Sequence, residues 1–245
     1  KGEKEMYKND EKYGAYVNIL REELVPAMGC TEPIALAYAA ATARKVLGEL
    51  PDRVVIGASG SIIKNVKSVI VPNTDHLKGI PAAAVAGIIA GKPEKELEVI
   101  AEVTAEEIAR MKEYLENVEI KIEHINNGLT FEIIVTLYKG KEYAKVRIAN
   151  YHTNIVLIEK NGEVLKEVPV DDESEEGLTD RSLLNMKDIF DFAETVEIED
   201  VKGILDRQIE YNMAIAKEGI RGNYGANIGS VLLDIGQDNL MVKAK

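Results

Sequence analysis

The stretch Val118-Glu119-Ile120-Lys121-Ile122-Glu123-His124-Ile125-Asn126-Asn127-Gly128-Leu129-Thr130-Phe131-Glu132-Ile133-Ile134-Val135-Thr136-Leu137 decides the fold, because its hydrophobic period is two instead of 3.6. Val118, Ile120 and Ile122 share one face, as do Phe131, Ile133, Val135 and Leu137. The pattern predicts two strands, with Asn126-Asn127-Gly128 as the turn between them. Lys139-Gly140-Lys141 and Asn161-Gly162 mark two further hairpins, the second being the stronger short-range signal. Residues 118–169 are therefore expected to form an antiparallel meander of about five strands.

Upstream the period is helical. Tyr16, Val17, Ile19, Leu20 and Leu24 recur at helical spacing until Pro26 closes the segment, which predicts a first helix over 13–25. Thr31 can act as an N-cap, Glu32 suits the positive helix end and Pro33 suits the first turn, so a second helix is expected from Glu32 to Leu47. Its alanines at 37, 39, 40, 41 and 43 allow close packing. Residues 53–71 read as strand, Gly/Ser turn at 57–61, and a second strand from Ile62 to Val71. Pro81 opens an Ala-rich helix to Ala90, Pro93 opens another, and Thr104 with Glu107 forms a capping box for a helix reaching Leu115.

Beyond the meander, Asp171 to Glu176 is an acidic run expected to be a solvated connection. Two helices follow, over 185–193 and 201–218, the second with an apolar stripe of Val201, Ile204, Leu205, Ile209, Met213 and Ala216. A glycine-rich segment from Gly219 to Gly229, a short apolar segment and a polar tail complete the sequence. The expected class is α+β: an antiparallel meander sheet with packed helices, Ala-rich in the amino-terminal half. The 245 residues are read as one α+β region, helix-rich over 1–117, β-meander over 118–169, with carboxy-terminal helices over 183–235.

Composition narrows the function. At 46% hydrophobic and 29% charged residues the chain is ordinary globular material, and folding would bury roughly 70 to 75% of its unfolded surface. The formal net charge of −12 argues against nucleic acid, which calls for a basic patch. No apolar run approaches the roughly 18 residues of a membrane span, the longest lying around Ile80 to Gly91. Lys1 to Lys12 are charged and lack the apolar core of a signal peptide, so a cytoplasmic location is expected. The single cysteine excludes an internal disulfide and any zinc site built from several thiolates.

Three places could carry chemistry. Cys30 precedes a helix start, where unpaired amides and the helix dipole favour an anion; this predicts a stabilised thiolate fit to be a metal ligand, base or nucleophile. A small buried apolar cysteine is the bland alternative. Ser59-Gly60-Ser61 followed by Lys64-Asn65 could set hydroxyls, amides and an ammonium around a carboxylate, although such turns are commonly structural. The run is not a P-loop. His152-Thr153-Asn154 lies between two expected strands, where the imidazole could carry a proton or make a structural hydrogen bond. His76 and His124 read as surface or turn residues, and the glycine spacing of Asn223-Tyr224-Gly225-Ala226-Asn227-Ile228-Gly229 suits either a loop over a ligand or a helix connection.

Taken together, the run Leu24 to Leu36, centred on Gly29-Cys30-Thr31-Glu32-Pro33, resembles the opening motif of the L-cysteine desulfidase family, related to the alpha chain of iron-sulfur L-serine dehydratase. Ile63-Lys64-Asn65, Val71-Pro72 with Gly79 to Ala84, His152 to Val156, and Tyr224-Gly225 to Ile228-Gly229 match in order, so the resemblance covers nearly the whole chain. It implies a lyase that removes sulfide, or water in relatives, from a small amino acid to leave pyruvate and ammonia with a 4Fe-4S cluster. The resemblance makes Cys30 and His152 the candidate catalytic residues and Cys30 the candidate cluster ligand. Ser61, Lys64, Asn65, Thr153 and Asn154 become the candidate substrate contacts.

The family often has Asn where Ser61 stands and Gly where Asn73 and Asp75 stand, which points to different substrate contacts here. Its further cysteines lie beyond the Ile228-Gly229 region. The chain therefore reads as the amino-terminal portion of such a lyase, inactive and without a cluster alone, with a carboxy-terminal portion or partner chain supplying the rest; a homo-oligomer is compatible with this. Two other classes fit the same residues: a non-catalytic amino-acid-binding or regulatory module, and a subunit that scaffolds a catalytic partner.

Overall fold

The computed structural model describes residues 6–170, 178–222 and 224–235. Two compact units form, one of Lys1–Val25 with Glu175–Lys245 and the other of Pro26–Ser174. The acidic run at 171–176, Asn223 and the polar tail after residue 235 lie outside the described residues.

The larger unit is α+β, as the period change at 118 implies. Its sheet contains β1 (Arg53–Ser59), β2 (Glu119–Ile125), β3 (Glu132–Lys139), β4 (Glu142–Ala149), β5 (Ile155–Lys160) and β6 (Glu163–Glu167). The strand order is β2-β1-β3-β4-β5-β6. The β3 to β6 meander matches expectation, with every neighbouring pair antiparallel. The first step of the expected meander does not: β1 lies between β2 and β3, pairing parallel with β2 and antiparallel with β3. Asn126-Asn127-Gly128 is thus a turn but not a hairpin. The Asn127 amide donates to the Glu132 carboxylate at 2.7 Å, on the strand that the turn leads into. Glu132 is buried and also takes the Arg147 guanidinium from β4.

Sheet register explains the core. Val54, Leu137 and Ala144 form one cross-strand row, Ile56, Val135 and Val146 a second, and Ala58, Ile133 and Ile148 a third, and all nine are fully buried. Against this face lies α2 (Thr31–Leu47), packed on β3 and β4 and against α4 (Gly79–Ala90). The Ala-rich helices meet closely: a Cβ on Gly87 of α4 would lie 2.1 Å from the Ala37 carbonyl oxygen of α2. The bulky Ile34 and Leu36 of α2 are fully buried, each worth about 1.5–3 kcal/mol of transfer free energy.

The segment 62–71 departs from the strand reading, since Gly60–Val66 is a helix, α3. Ile62 and Val66, four residues apart, are its buried pair, so the apolar residues serve a helical face. The segment at Pro93–Glu98 is a 3-10 helix, and α5 (Ala105–Asn117) carries the expected capping box from Thr104 and Glu107. These helices supply the long connection that a parallel β1–β2 pair requires.

The smaller unit contains α1 (Glu11–Glu23), α6 (Met186–Thr195), α7 (Ile198–Arg221) and α8 (Ile228–Ile235). Its core joins Met6, Tyr13, Tyr16, Val17, Phe192 and Val201, with the Phe192 ring edge-on to Tyr13 at 5.4 Å.

Candidate functional site

The start of α2 gathers the residues that the sequence singles out. Gly29 takes the left-handed conformation, φ 78°, turning the chain so that Cys30 sits at the N-cap with extended backbone. Thr31, expected as the cap, is instead the first helical residue, and Cys30 takes the N-cap position. The thiol donates to Glu32 Oε2 at 2.9 Å, while Glu32 Oε1 accepts from Asn65 Nδ2 of α3 at 3.0 Å. Thr31 Oγ1 lies 2.9 Å from His152 Nε2, and the His152 ring packs edge-on to Phe131 at 4.5 Å. Cys30, Asn65 and His152, remote in sequence, therefore converge through the neighbours Thr31 and Glu32.

The electrostatics reverse the expected thiolate. Burial, and then the Glu32 carboxylate that accepts its hydrogen bond, push the Cys30 thiol above its ordinary range. Glu32 moves the other way: the hydrogen bond from Cys30 holds it below the usual carboxylate range, with Asn65 and the nearby His152 adding to the effect. Within two residues of the helix start, the carboxylate takes the anionic place that the dipole offers, and the thiol keeps its proton. Burial lowers the His152 pKa against the opposing pull of Glu32, so the imidazole is neutral near pH 7.

The other candidates are placed differently. Lys64 lies on the exposed side of α3 and forms no ion pair among the described residues, and Ser61 is half-buried in its first turn. Asn154 donates its amide to the Ala149 carbonyl at 3.0 Å, a bond that shapes the β4–β5 connection. Thr153 is half-buried in that connection. Asn73 and Asp75 both adopt left-handed backbone, φ 57° and 52°. Both positions lie in the region that glycine occupies without strain. His76 and His124 are exposed, as expected. Glu32 is the residue that sequence reading undervalued; as the only carboxylate within two residues of Cys30 it could have been found from spacing alone.

Among curated proteins, the chain is 54% identical over 240 residues to a UPF0597 protein of Desulfitobacterium hafniense (strain Y51), covering 98% of this chain and 56% of that protein. The chain is similar to the UPF0597 proteins. A UPF0597 protein of Treponema denticola is 46% identical over 238 residues, covering 96% of this chain and 55% of the relative. Another, of Lachnoclostridium phytofermentans, is 46% identical over 233 residues, covering 95% and 56% respectively. The chain thus spans about half the length of the UPF0597 proteins it matches. No family model matches the chain, and no solved structure matches it.

A 4Fe-4S cluster does not fit this chain by itself. Such clusters are generally held by several cysteine thiolates, whereas Cys30 is the sole cysteine and its proton is engaged with Glu32. Among the described residues no group of three or more His, Cys, Asp and Glu side chains is arranged to hold a metal ion. No helix among them is long and apolar enough to cross a membrane.

Proposed function

We propose that this chain is the amino-terminal portion of an amino-acid lyase that releases sulfide from L-cysteine, or water from L-serine, and that it is inactive alone. The observation that supports the reading is the hydrogen-bonded convergence of Cys30, Glu32 and Asn65 beside Thr31 and His152 at the start of α2. A protonated thiol held against a carboxylate, next to a neutral imidazole, is a set of proton-transfer groups in one place. That this chain covers only 56% of the Desulfitobacterium hafniense relative supports an incomplete site.

The reaction needs an α-proton removed and the bond from Cβ to sulfur or oxygen broken. The electrons of the broken C–H bond form the new C=C bond, and the leaving atom departs with its own electron pair and takes up a proton. The resulting enamine tautomerises, and water hydrolyses it to pyruvate and ammonia. Cys30 and Glu32 suit the delivery of a proton to the leaving atom, and His152 suits its acceptance from carbon. Lys64, with the Asn65 amide, suits the substrate carboxylate. A 4Fe-4S cluster in the completed enzyme would be held by thiolates from outside this chain and would supply Lewis-acid chemistry, leaving the Cys30 proton on its sulfur.

The test is anaerobic reconstitution with iron and sulfide, followed by L-cysteine or L-serine. The 245-residue chain should stay nearly colourless and silent, while the polypeptide completed to the length of its relatives should turn brown and release pyruvate, with sulfide from cysteine. Cys30→Ser in the completed protein should abolish turnover. Activity in the isolated chain would overturn the incomplete site, and a completed protein that binds cysteine or serine without turning it over would establish a binding module instead.

A further inference from the structure

The smaller unit carries an apolar stripe that it leaves half uncovered. In α7, Ile198, Val201, Leu205, Ile209, Met213, Ala216 and Ile220 recur every three or four residues, which places them along one face of the helix. The first part of this stripe is packed: Val201 is buried beside Tyr13 and Phe192, and Leu205 packs against the same cluster. The second part runs on along the same face with no described element of the smaller unit packed over it, and Ile209, Met213 and Ile220 are 58%, 49% and 49% exposed. The eight-residue α8 repeats the pattern, with Ile228, Val231, Leu232 and Ile235 at helical spacing and all exposed. Single exposed apolar residues are normal on a protein surface, but two consecutive amphipathic helices open to water along their apolar faces mark an interface.

We propose that the uncovered stripe of α7, with the apolar face of α8, is the docking surface for the remainder of the polypeptide, the part that the UPF0597 relatives carry beyond the region matched here. Two observations select this occupant. The stripe is continuous with one already buried in the unit's own core, so the helix is built to be covered along its whole length by its own protein. The matched region also accounts for only 56%, 55% and 56% of three relatives while taking in 95% or more of this chain, which leaves nearly half of each relative to pack against something. The occupant presents a complementary apolar helix or sheet face. This inference does not depend on the lyase reading, since it concerns assembly and not chemistry.

Single cysteines at Ile209, Met213 and Ile220, with Ala214→Cys as a control on the opposite side of α7, give a direct test in a Cys30→Ser background. Their alkylation rates are compared in the 245-residue chain and in the full-length polypeptide of the relatives' size that carries it. The three stripe positions should react at least about tenfold more slowly in the full-length protein, while Ala214→Cys changes little. Hydrogen exchange of the unsubstituted proteins gives a second readout, with slower exchange across α7 and α8 expected only in the full-length form. Equal rates in the two proteins would overturn the proposal. So would protection that is already present in the isolated chain and lost on dilution, which would assign the face to a second copy, or protection that appears only with added lipid vesicles.

Discussion

Cys30 and Glu32, two residues apart at the start of α2, share a hydrogen bond of 2.9 Å in which the thiol is the donor. A helix N-terminus normally favours a thiolate, but here the carboxylate occupies the favourable field and the sulfur retains its proton. Alkylation of Cys30 against pH should give a midpoint above the roughly 8.5 of a free thiol. Glu32→Gln should lower that midpoint by removing the negative charge beside the sulfur. A wild-type midpoint at or below that of a free thiol would contradict the geometry.

His152 should titrate below the roughly 6.5 of an unperturbed imidazole, because the folded state buries it. The sign follows from proton counts. Between the lowered folded pKa and the ordinary unfolded one, the unfolded chain binds more protons, so stability rises with pH through that window and falls on acidification. Glu32, also lowered, adds a loss of the same sign at more acidic pH. The raised Cys30 thiol acts oppositely, contributing stability that fades as pH rises through its folded pKa. NMR titration of the His152 ring checks the first claim. Thr31→Val should remove its 2.9 Å partner at a cost of about 1 kcal/mol, read from denaturant midpoints.

Gly87 should tolerate no side chain. An added Cβ would sit 2.1 Å from the Ala37 carbonyl oxygen, so α2 and α4 would have to separate. Gly87→Ala should destabilise by at least about 1–3 kcal/mol, the range of overpacked cores, despite the better helix propensity of alanine. An unchanged or raised melting temperature would show that the helices do not approach this closely.

Asn73 and Asp75 share left-handed backbone but not side-chain duties. Asn73 donates to the Ile100 and Ala101 carbonyls at 3.1 and 3.2 Å, whereas Asp75 makes an exposed ion pair with Lys112. Asp75→Gly should therefore leave stability within about 0.5 kcal/mol, since a surface pair contributes little and glycine relieves the backbone. Asn73→Gly should cost about 1–2 kcal/mol because it leaves those two carbonyls without their donor. Equal effects of the two substitutions would show that the Asn73 hydrogen bonds contribute no more than the exposed Asp75 ion pair.

Local chemistry made much of this protein legible. Thr104 and Glu107 specify the start of α5 because a capping box satisfies its amides within four residues, and Pro33 with Glu32 marks α2 for similar local reasons. The alternation from Phe131 to Leu137 identifies a strand and its buried face, and the Gly29 to Pro33 run locates the candidate site. In residues 62–71, Ile62, Ile63 and Val66 suit a strand by composition, and only packing of the Ile62 and Val66 pair selects the helix at Gly60–Val66.

What only tertiary structure decided is which remote groups meet. Asn126-Asn127-Gly128 is as good a turn in the sequence as in the fold, yet β2 and β3 never pair, because β1 takes the place between them and pairs with both. Strand order depends on which faces bury most against the helices, chiefly α2, a property of the assembled sheet that neither strand carries alone. The same holds for the site. Sequence placed a cysteine at a helix start and implied a thiolate, but the Cys30 proton is set by burial and by the Glu32 carboxylate, which Asn65 from a different helix helps to hold. A pKa depends on desolvation and on charges a few ångströms away in space, and that distance exists only once the chain has folded.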